Sequence, residues 1–240
     1  MLTSNPAVLT SKILLVPYSE HHVPTYHKWM QDEELQKATA SEPLTLDQEY
    51  AMQSSWRQDA DKLTFIACTA PPYLYSAAQD VEISAEHDAP AHMFGDVNLF
   101  LYSDEEQEGD PAVADACSVV GEIEIMIALK HLQGNGNGKS ILLAFLWYII
   151  LSLPKLMAEY ASRHTGPAAK SPVLKYLRVR IDTENVRSVR LFESVGFQKV
   201  SEHPNYFGEL ELRWAVEGRD VAQLEEMQGT VPKCLVYNRI

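Results

Sequence analysis

Residues 119–140 read VVGEIEIMIALKHLQGNGNGKS, and this stretch joins a strand pattern to a glycine-rich turn and the start of an apolar segment. Alternation with a period of two predicts a strand over Val119–Ala128. One side of that strand carries Ile123, Ile125 and Ile127, and the other carries Glu122, Glu124 and Met126. The apolar run Ser140–Leu153 then predicts a helix. Because alternating glycines let successive N–H groups converge and a helix start is partially positive, we expect an anion site at the turn.

Three phosphate-binding patterns compete for the glycine turn. A P-loop needs glycine at position 133, where the chain has Gln133, and a dinucleotide fingerprint needs glycine at position 139, where it has Lys139. The third pattern, Gln/Arg-x-x-Gly-x-Gly/Ala, is met by Gln133, Gly136 and Gly138, and it resembles the pyrophosphate loop of GNAT acetyltransferases. The alternative that the glycines serve only the geometry of the turn stays open at this point.

A second motif lies about fifty residues further along the chain. Residues 185–197 read NVRSVRLFESVGF, which predicts a short helix over Asn185–Ser194 with Gly196 as the left-handed residue after its last turn. The segment resembles the GNAT helix that has an asparagine near its start and ends in Gly-Phe. With both motifs in the right order, the chain is identified as a member of the GNAT superfamily.

The resemblance extends to the N-acetyltransferase 9-like branch over most of residues 13–215. The segments that carry it are ELQ (34–36), TASEPLTLDQEYAMQ (39–53), DADK (59–62), GDVNLF (95–100) and GEIE (121–124).

The order of the remaining patterns predicts an α/β (α+β) fold. Val23–Ala38 is predicted as one helix, and Thr45 with Gln48 predicts a capping box that opens the helix Leu46–Gln58. The resemblance implies a single GNAT-type domain over 10–217, with a central mixed, mostly antiparallel sheet flanked by helices. Variable loops fall at about 69–93 and 103–118, and residues 218–240 form a C-terminal tail.

The resemblance implies acetyl-CoA as the co-substrate and no metal. The turn would offer backbone donors to the pyrophosphate, Met126 and Ile127 would offer strand backbone to the pantetheine arm and the thioester carbonyl, and Asn185 would contact the arm. The implied cofactor-binding residues are Met126, Ile127, Gln133, Gly134, Asn135, Gly136, Asn137, Gly138, Lys139 and Asn185.

Glu122 and Glu124 are the candidate catalytic residues. They share one face of the strand that leads into the turn, and two neighbouring carboxylates repel, so one of them is expected to have a raised pKa suited to a general base. Counted back from the turn, Glu122 stands where histone-acetylating GNAT enzymes carry their glutamate base, so it is the first choice. The alternative is that both residues only line a polar pocket.

The general acid is where the chain departs from the family pattern. Many GNAT enzymes carry a tyrosine where this chain has Phe192, which cannot donate a proton. Water, Tyr206 or His203 could serve instead, although a core aromatic and a surface histidine are ordinary explanations for the last two. Phe192 therefore keeps open a second hypothesis, a catalytically silent protein that binds acyl-CoA or a partner.

The charge distribution indicates the class of acceptor. The net charge is −13, and residues 63–129 contain thirteen acids and no Lys or Arg. This acidic middle suits a cationic partner, such as a lysine or an N-terminal amine of a protein or peptide, although acidic loops that only confer solubility would look the same. Nucleic acid is disfavoured because the chain has no basic stripe with interleaved aromatic residues.

The compartment follows from what the sequence lacks. Three cysteines show no metal-ligand spacing, and residues 1–10 show no signal-peptide pattern. The longest apolar run, Ile141–Leu153, is too short to span a bilayer, so we expect no membrane association. The expectation is an intracellular protein in the cytoplasm or nucleus, with no prediction of its oligomeric state.

Overall fold

The computed structural model describes residues 6–76, 82–104, 117–164 and 171–238. Within these ranges the strands are β1 Pro6–Leu9, β2 Ile13–Pro17, β3 Lys62–Thr69, β4 Met93–Ser103, β5 Cys117–Ile127, β6 Pro172–Asp182, β7 Gln198–Lys199, β8 Glu209–Ala215 and β9 Lys233–Val236. The helices are α1 Val23–Trp29, α2 Glu33–Ala38, α3 Leu46–Gln58, α4 Pro72–Ser76, α5 Asn137–His164, α6 Val186–Glu193 and α7 Val221–Gln228.

All nine described strands form one sheet in the order β7-β8-β6-β5-β4-β3-β2-β1-β9. Strands β5 and β6 run parallel, because α5 connects them as a crossover, and the other neighbours are antiparallel. The predicted fold class, a mixed and mostly antiparallel sheet flanked by helices, is confirmed.

Helix α5 fills one face of the sheet and is longer than its sequence pattern predicts. It runs for 28 residues through Pro154, so the predicted end at Leu153 is wrong. Beyond the proline, Leu156, Met157 and Tyr160 are buried in the same core, and this packing outweighs the local cost of a proline in a helix. By length and composition α5 could cross a membrane, but 67% of its most apolar segment is buried inside the fold, so packing on the sheet accounts for its apolar character.

Helices α1, α2 and α3 cover the opposite face. The single predicted helix Val23–Ala38 is wrong, because α1 ends at Trp29 and Asp32 opens α2 by accepting a hydrogen bond from the Glu34 N–H. The predicted capping box is confirmed at the start of α3, where the Thr45 and Gln48 side chains bond each other's backbone N–H groups. The left-handed Gly196 is confirmed as well, with φ of 96°.

Residues of the tail 218–240 complete the sheet and the core. Strand β9 pairs with β1 at one edge, and α7 packs on α5, where Trp147 Nε1 donates a hydrogen bond to Glu225 Oε1 at 2.9 Å. The predicted loop at 69–93 contains α4 and an isolated bridge from Ile83 to Tyr237. Of the predicted variable loop at 103–118, Ser103 belongs to β4 and residues 117–118 to β5, and residues 105–116 lie outside the described residues.

Candidate active site

The two parallel strands at the centre of the sheet separate partway along their length. Their register runs from Cys117–Pro172 to Glu122–Arg178, whereas β5 continues to Ile127 and β6 to Asp182. On its other side β5 stays paired with β4 as far as Gly95–Ile127. Within the described ranges, the edge of β5 over residues 123–127 therefore has no strand partner. This opening lies at the end of β5 that leads into the glycine turn.

Three side-chain hydrogen bonds stabilise the conformation of the glycine turn. Gln133 Nε2 donates to the Ile127 carbonyl at 2.8 Å, which ties the turn to the end of β5. Asn135 and Asn137 donate to the His131 and Leu132 carbonyls, each at 3.0 Å. The polar residues of the predicted motif thus fix the backbone and leave the outer side of the turn exposed.

The outer side of the turn presents unpaired backbone donors. The first backbone bond of α5 runs from the Ser140 N–H to the Gly136 carbonyl at 3.0 Å, and the N–H groups of residues 134–139 have no acceptor in the described part of the chain. Gly134 and Gly136 have φ of 76° and 79°, and an added Cβ would meet no atom within 4 Å at either position. The turn therefore has the geometry that an anion site requires, at the partially positive end of a helix and with Lys139 in the first turn of that helix.

Helix α6 packs directly against this turn. A Cβ added to Gly138 would lie 3.1 Å from Leu191 Cδ2, so glycine at this position lets the two elements approach closely. Asn185 caps α6, because its Oδ1 accepts a hydrogen bond from the Ser188 N–H at 3.2 Å. The Asn185 amide nitrogen has no partner among the described residues, and its contact with a cofactor stays a prediction.

The two predicted carboxylates occupy different environments. Glu122 Oε2 accepts a hydrogen bond from Arg178 Nε at 2.7 Å and lies 3.8 Å from Arg180 Nη1, and the Glu122 and Arg178 side chains are each 15% exposed. Glu124 has neither an ion pair nor a hydrogen bond in the described part of the chain. Its side chain reaches solvent, and it lies one residue beyond the point where β5 and β6 part.

The pKa of Glu124 is raised to about 7. The surrounding protein disfavours the charged carboxylate, and the negative charges of Asp96 and Glu122 add to this effect. Glu124 is exposed on the opening side, and the protein that surrounds the rest of its side chain is the largest cause of the shift in its pKa. A carboxyl group that titrates near neutral pH can take a proton from an amine.

Asp96 is a functional candidate that the sequence pattern does not single out. It is fully buried on β4, and burial raises its pKa to about 6 against the opposing effect of its hydrogen bonds. Asn98 Nδ2 donates to Asp96 Oδ2 at 2.9 Å, and the Tyr26 hydroxyl donates to the same oxygen at 3.3 Å. The sequence does contain a signal that could have identified Asp96. Asp96 and Asn98 are two polar residues two positions apart in an otherwise apolar strand pattern.

None of the candidate acids hydrogen-bonds to Glu122 or Glu124 in the described part of the chain. Phe192 is 1% exposed and packs edge-to-face on Phe197 at 5.0 Å, so it is a core aromatic residue. Tyr206 is 96% exposed and His203 is also exposed, both on the connection between β7 and β8. Tyr102 lies closer to the glutamates, but burial and then the charges of Glu122 and Glu124 raise its pKa, which makes it a weaker acid.

A separate histidine–aspartate cluster joins the tail to the body of the fold. His21 and His22 each place Nε2 near Asp88 Oδ2, at 2.9 and 3.2 Å, and the Tyr237 hydroxyl donates to the same oxygen. Burial opposes the charge on Asp88, but these three partners outweigh it and hold its pKa well below the usual value. His22 Nδ1 accepts the Ser19 N–H, which assigns the proton to Nε2 and makes His22 a donor to Asp88.

The fold and the glycine turn agree with a family model. The acetyltransferase (GNAT) domain model matches residues 12–198, which span the turn, the opening and α6. The chain belongs to the GNAT acetyltransferase family. The enzyme class predicted from the sequence, an acetyl-CoA-dependent N-acetyltransferase, is confirmed with it.

Relatives place the chain within one branch of this family. An N-acetyltransferase 9-like protein of Schizosaccharomyces pombe is 38% identical over 224 residues, which cover 88% of this chain and 96% of that protein. Alpha/beta-tubulin-N-acetyltransferase 9 of Homo sapiens is 38% identical over 231 residues, which cover 96% of this chain and 93% of that protein. The predicted N-acetyltransferase 9-like branch is therefore confirmed.

Solved structures share the fold at low sequence identity. Aminoglycoside acetyltransferase AAC(6')-Ib in complex with coenzyme A superposes with a TM-score of 0.55 at 15% identity, covering 91% of this chain and 99% of that one. Spermidine N-acetyltransferase from Vibrio cholerae, in complex with CoA and spermine, gives 0.53 at 16% identity, covering 85% and 94%.

Proposed function

We propose that this enzyme transfers acetyl from acetyl-CoA to a primary amine of a protein, with Glu124 as the general base. One observation carries the proposal. A carboxylate with a pKa of about 7 and no cationic partner among the described residues lies where β5 and β6 part. The anion-binding turn follows on the same strand.

The reaction needs the amine to lose a proton before it attacks the thioester. Glu124 takes that proton directly or through one water, and the neutral amine adds to the carbonyl carbon. Backbone on the unpaired edge of β5 would offer hydrogen bonds to pantetheine and to the thioester oxygen. The Ile127 N–H is the donor in this proposal, because the Met126 carbonyl faces Gly95 on β4 and the Ile127 carbonyl already accepts from Gln133. The carbon–sulfur bond then breaks, and the leaving thiolate takes a proton from water.

Glu122, the first choice from the sequence, has a different role in this proposal. Its carboxylate is held by Arg178, and removing a proton from an amine would compete with that ion pair. The pair joins β5 to β6 at their last register position, so it fixes where the opening begins. Its charge also helps to raise the pKa of Glu124.

A protein acceptor is supported by two independent facts. The human and Drosophila melanogaster relatives are alpha/beta-tubulin-N-acetyltransferases by name, at 38% and 39% identity. The strand face beside the opening carries Glu122 and Glu124, with Asp96 beneath it, which suits a cationic α-amine or lysine. We expect an enzyme with such a substrate to act in the cytoplasm or nucleus.

Peptide acetylation with labelled acetyl-CoA tests the proposal. We expect transfer to a peptide with a free amine, and paired peptides with either the α-amine or the lysine amines blocked will assign the acceptor. Mass spectrometry of the products identifies the modified nitrogen. Binding of acetyl-CoA without transfer to any peptide or lysate protein would contradict the proposal and favour the silent binding protein that Phe192 suggests.

Replacing Gly136 with alanine is expected to weaken coenzyme A binding. The turn holds Gly136 at φ of 79°, and a left-handed conformation costs a non-glycine residue about 1–2 kcal/mol, or about 5–30-fold in the dissociation constant if binding requires it. Titration calorimetry with coenzyme A measures this change. Gly208→Ala is the matched control, because Gly208 has φ of 82° and open surroundings on a different turn. Equal affinity in the two variants would remove the turn from the cofactor site.

A further inference from the structure

Buried polar atoms without a protein partner are concentrated beneath Glu124. Nine such side-chain atoms occur in the described ranges, and six of them belong to one region between the sheet and helices α1 and α3. The six atoms are Tyr18 Oη, His27 Nδ1, Glu49 Oε2, Thr64 Oγ1, Asp96 Oδ1 and Asn98 Oδ1. A buried polar atom without a hydrogen bond costs about 1–3 kcal/mol, so a concentration of this kind requires a common explanation.

On the sheet side these groups form a continuous row. Thr64, Asn98 and Glu124 are register partners on β3, β4 and β5, and partners on neighbouring strands project from the same face. Asp96 lies two residues from Asn98 on β4 and bonds to it at 2.9 Å. The row therefore connects the base to Asp96 without leaving the sheet.

On the helix side the row continues to the protein surface. The Tyr26 hydroxyl bonds to Asp96, and the ring of Tyr26 lies 5.2 Å from that of Tyr18. Glu49 is close enough for its charge to raise the pKa of both tyrosines, after burial itself. Glu49 Oε1 lies 3.8 Å from His27 Nδ1, and the His27 side chain is 23% exposed.

Ordered water is the partner that remains for these atoms, because water commonly satisfies buried polar groups that protein atoms leave unpaired. We propose that water completes a hydrogen-bonded relay that runs from Glu124 past Asp96 and Glu49 to His27 and carries the acceptor's proton to the surface. The proposal rests on the function proposed above. During the reaction acetyl-CoA and the acceptor fill the opening between β5 and β6, so the relay supplies a second route to solvent.

The proton balance of the relay is simple. Glu124 takes one proton from the acceptor ammonium and passes it to the adjacent water, which returns Glu124 to its carboxylate form. Water molecules, the tyrosine hydroxyls and the carboxylates of Asp96 and Glu49 pass the proton along the row, whereas the Asn98 amide only holds water in place. His27 then gains a proton at Nδ1, and its Nε2 releases one to solvent. No other bond forms or breaks.

Replacing His27 with glutamine tests the relay in the full-length enzyme. We expect kcat in dilute buffer to fall by about tenfold, a fraction of the 10²–10⁴-fold that a general base contributes. Added imidazole is expected to restore kcat in proportion to its concentration, because it can take the proton that His27 no longer accepts. The KM for acetyl-CoA should stay unchanged.

His164→Gln is the matched control, because His164 is a partly exposed histidine on α5 outside the row. It should keep wild-type kcat and show no response to imidazole. Glu49→Gln provides a second test inside the row, with the same expected buffer dependence. In an enzyme that already carries Glu124→Gln, adding His27→Gln should lower kcat no further.

Two outcomes overturn the relay. A His27→Gln enzyme with wild-type kcat in dilute buffer would exclude it, and so would a lowered kcat that imidazole does not restore in either the His27 or the Glu49 variant. Both outcomes leave acetyl transfer by the wild-type enzyme intact. Failure of the proposed function is a different result, because the wild-type enzyme would then transfer no acetyl group to any amine.

Discussion

Glu124→Gln is expected to lower kcat/KM for the acceptor by about 10²–10⁴-fold, the contribution of a general base. Glutamine keeps the shape of the side chain but cannot take a proton from an amine. The wild-type pKa of about 7 means that the base form is lost as the pH falls through 7, so kcat/KM should decline below that value. In the variant this decline at low pH, the acidic limb of the pH profile, should disappear. Rates across pH 5.5–8.5, chosen to span about 1.5 units on either side, measure both effects.

The stability of the variant separates chemistry from folding. An acid whose pKa is raised in the folded state destabilises the fold as pH rises from its unfolded to its folded pKa, and this cost is then fully present above about 7. Glu124→Gln removes the charge, so it should melt no lower than the wild type at pH 8.

Glu122→Gln is the informative comparison for the choice between the two glutamates. It removes one of the charges that raise the pKa of Glu124, so the acidic limb should remain and move to lower pH. If Glu124→Gln kept wild-type kcat/KM while Glu122→Gln abolished the limb, Glu122 would be the base.

Gly95→Ala is expected to destabilise the protein by about 3 kcal/mol or more, at or above the top of the 1–3 kcal/mol range usual for overpacking. A Cβ at position 95 would lie 2.1 Å from the Met126 carbonyl oxygen, so backbone rather than a flexible side chain would have to move. Denaturant titration measures the change in unfolding free energy. Because Met126 borders the opening, kcat should fall as well.

Gly138→Ala is the control for Gly95→Ala, because a Cβ added at Gly138 makes a milder contact. Its added Cβ would lie 3.1 Å from the flexible end of Leu191, which can shift by a few tenths of an ångström. We expect a much smaller loss of stability there. Equal losses for the two variants would mean that β4 and β5 can separate at Gly95 without cost.

Local patterns predicted most of the regular structure. The capping box at Thr45 and the left-handed Gly196 depend on neighbours within a few residues, so the sequence contains all the information that they need. The errors occurred where distant contacts outweigh local preference. Pro154 does not end α5, because the residues that follow it gain more from burial in the core than the proline costs.

The tail shows the same limit at the level of topology. Its polar composition gives no firm pattern, yet β9 pairs with β1 from the other end of the chain. Pairing between strands at the two ends of a chain depends on how all the intervening elements fold. The local sequence pattern of one strand contains no information about that fold.

The sequence by itself determined the glycine turn, because the left-handed glycines, the free N–H groups and the helix start belong to one continuous segment. It also placed Glu122 and Glu124 on one strand face. Only the tertiary structure distinguished them. Arg178 comes from β6 to neutralise Glu122, whereas burial, and after it the charge of Asp96 on β4, raises the pKa of Glu124. A pKa depends on charges and burial within a few ångströms, and here those are supplied by strands distant in sequence.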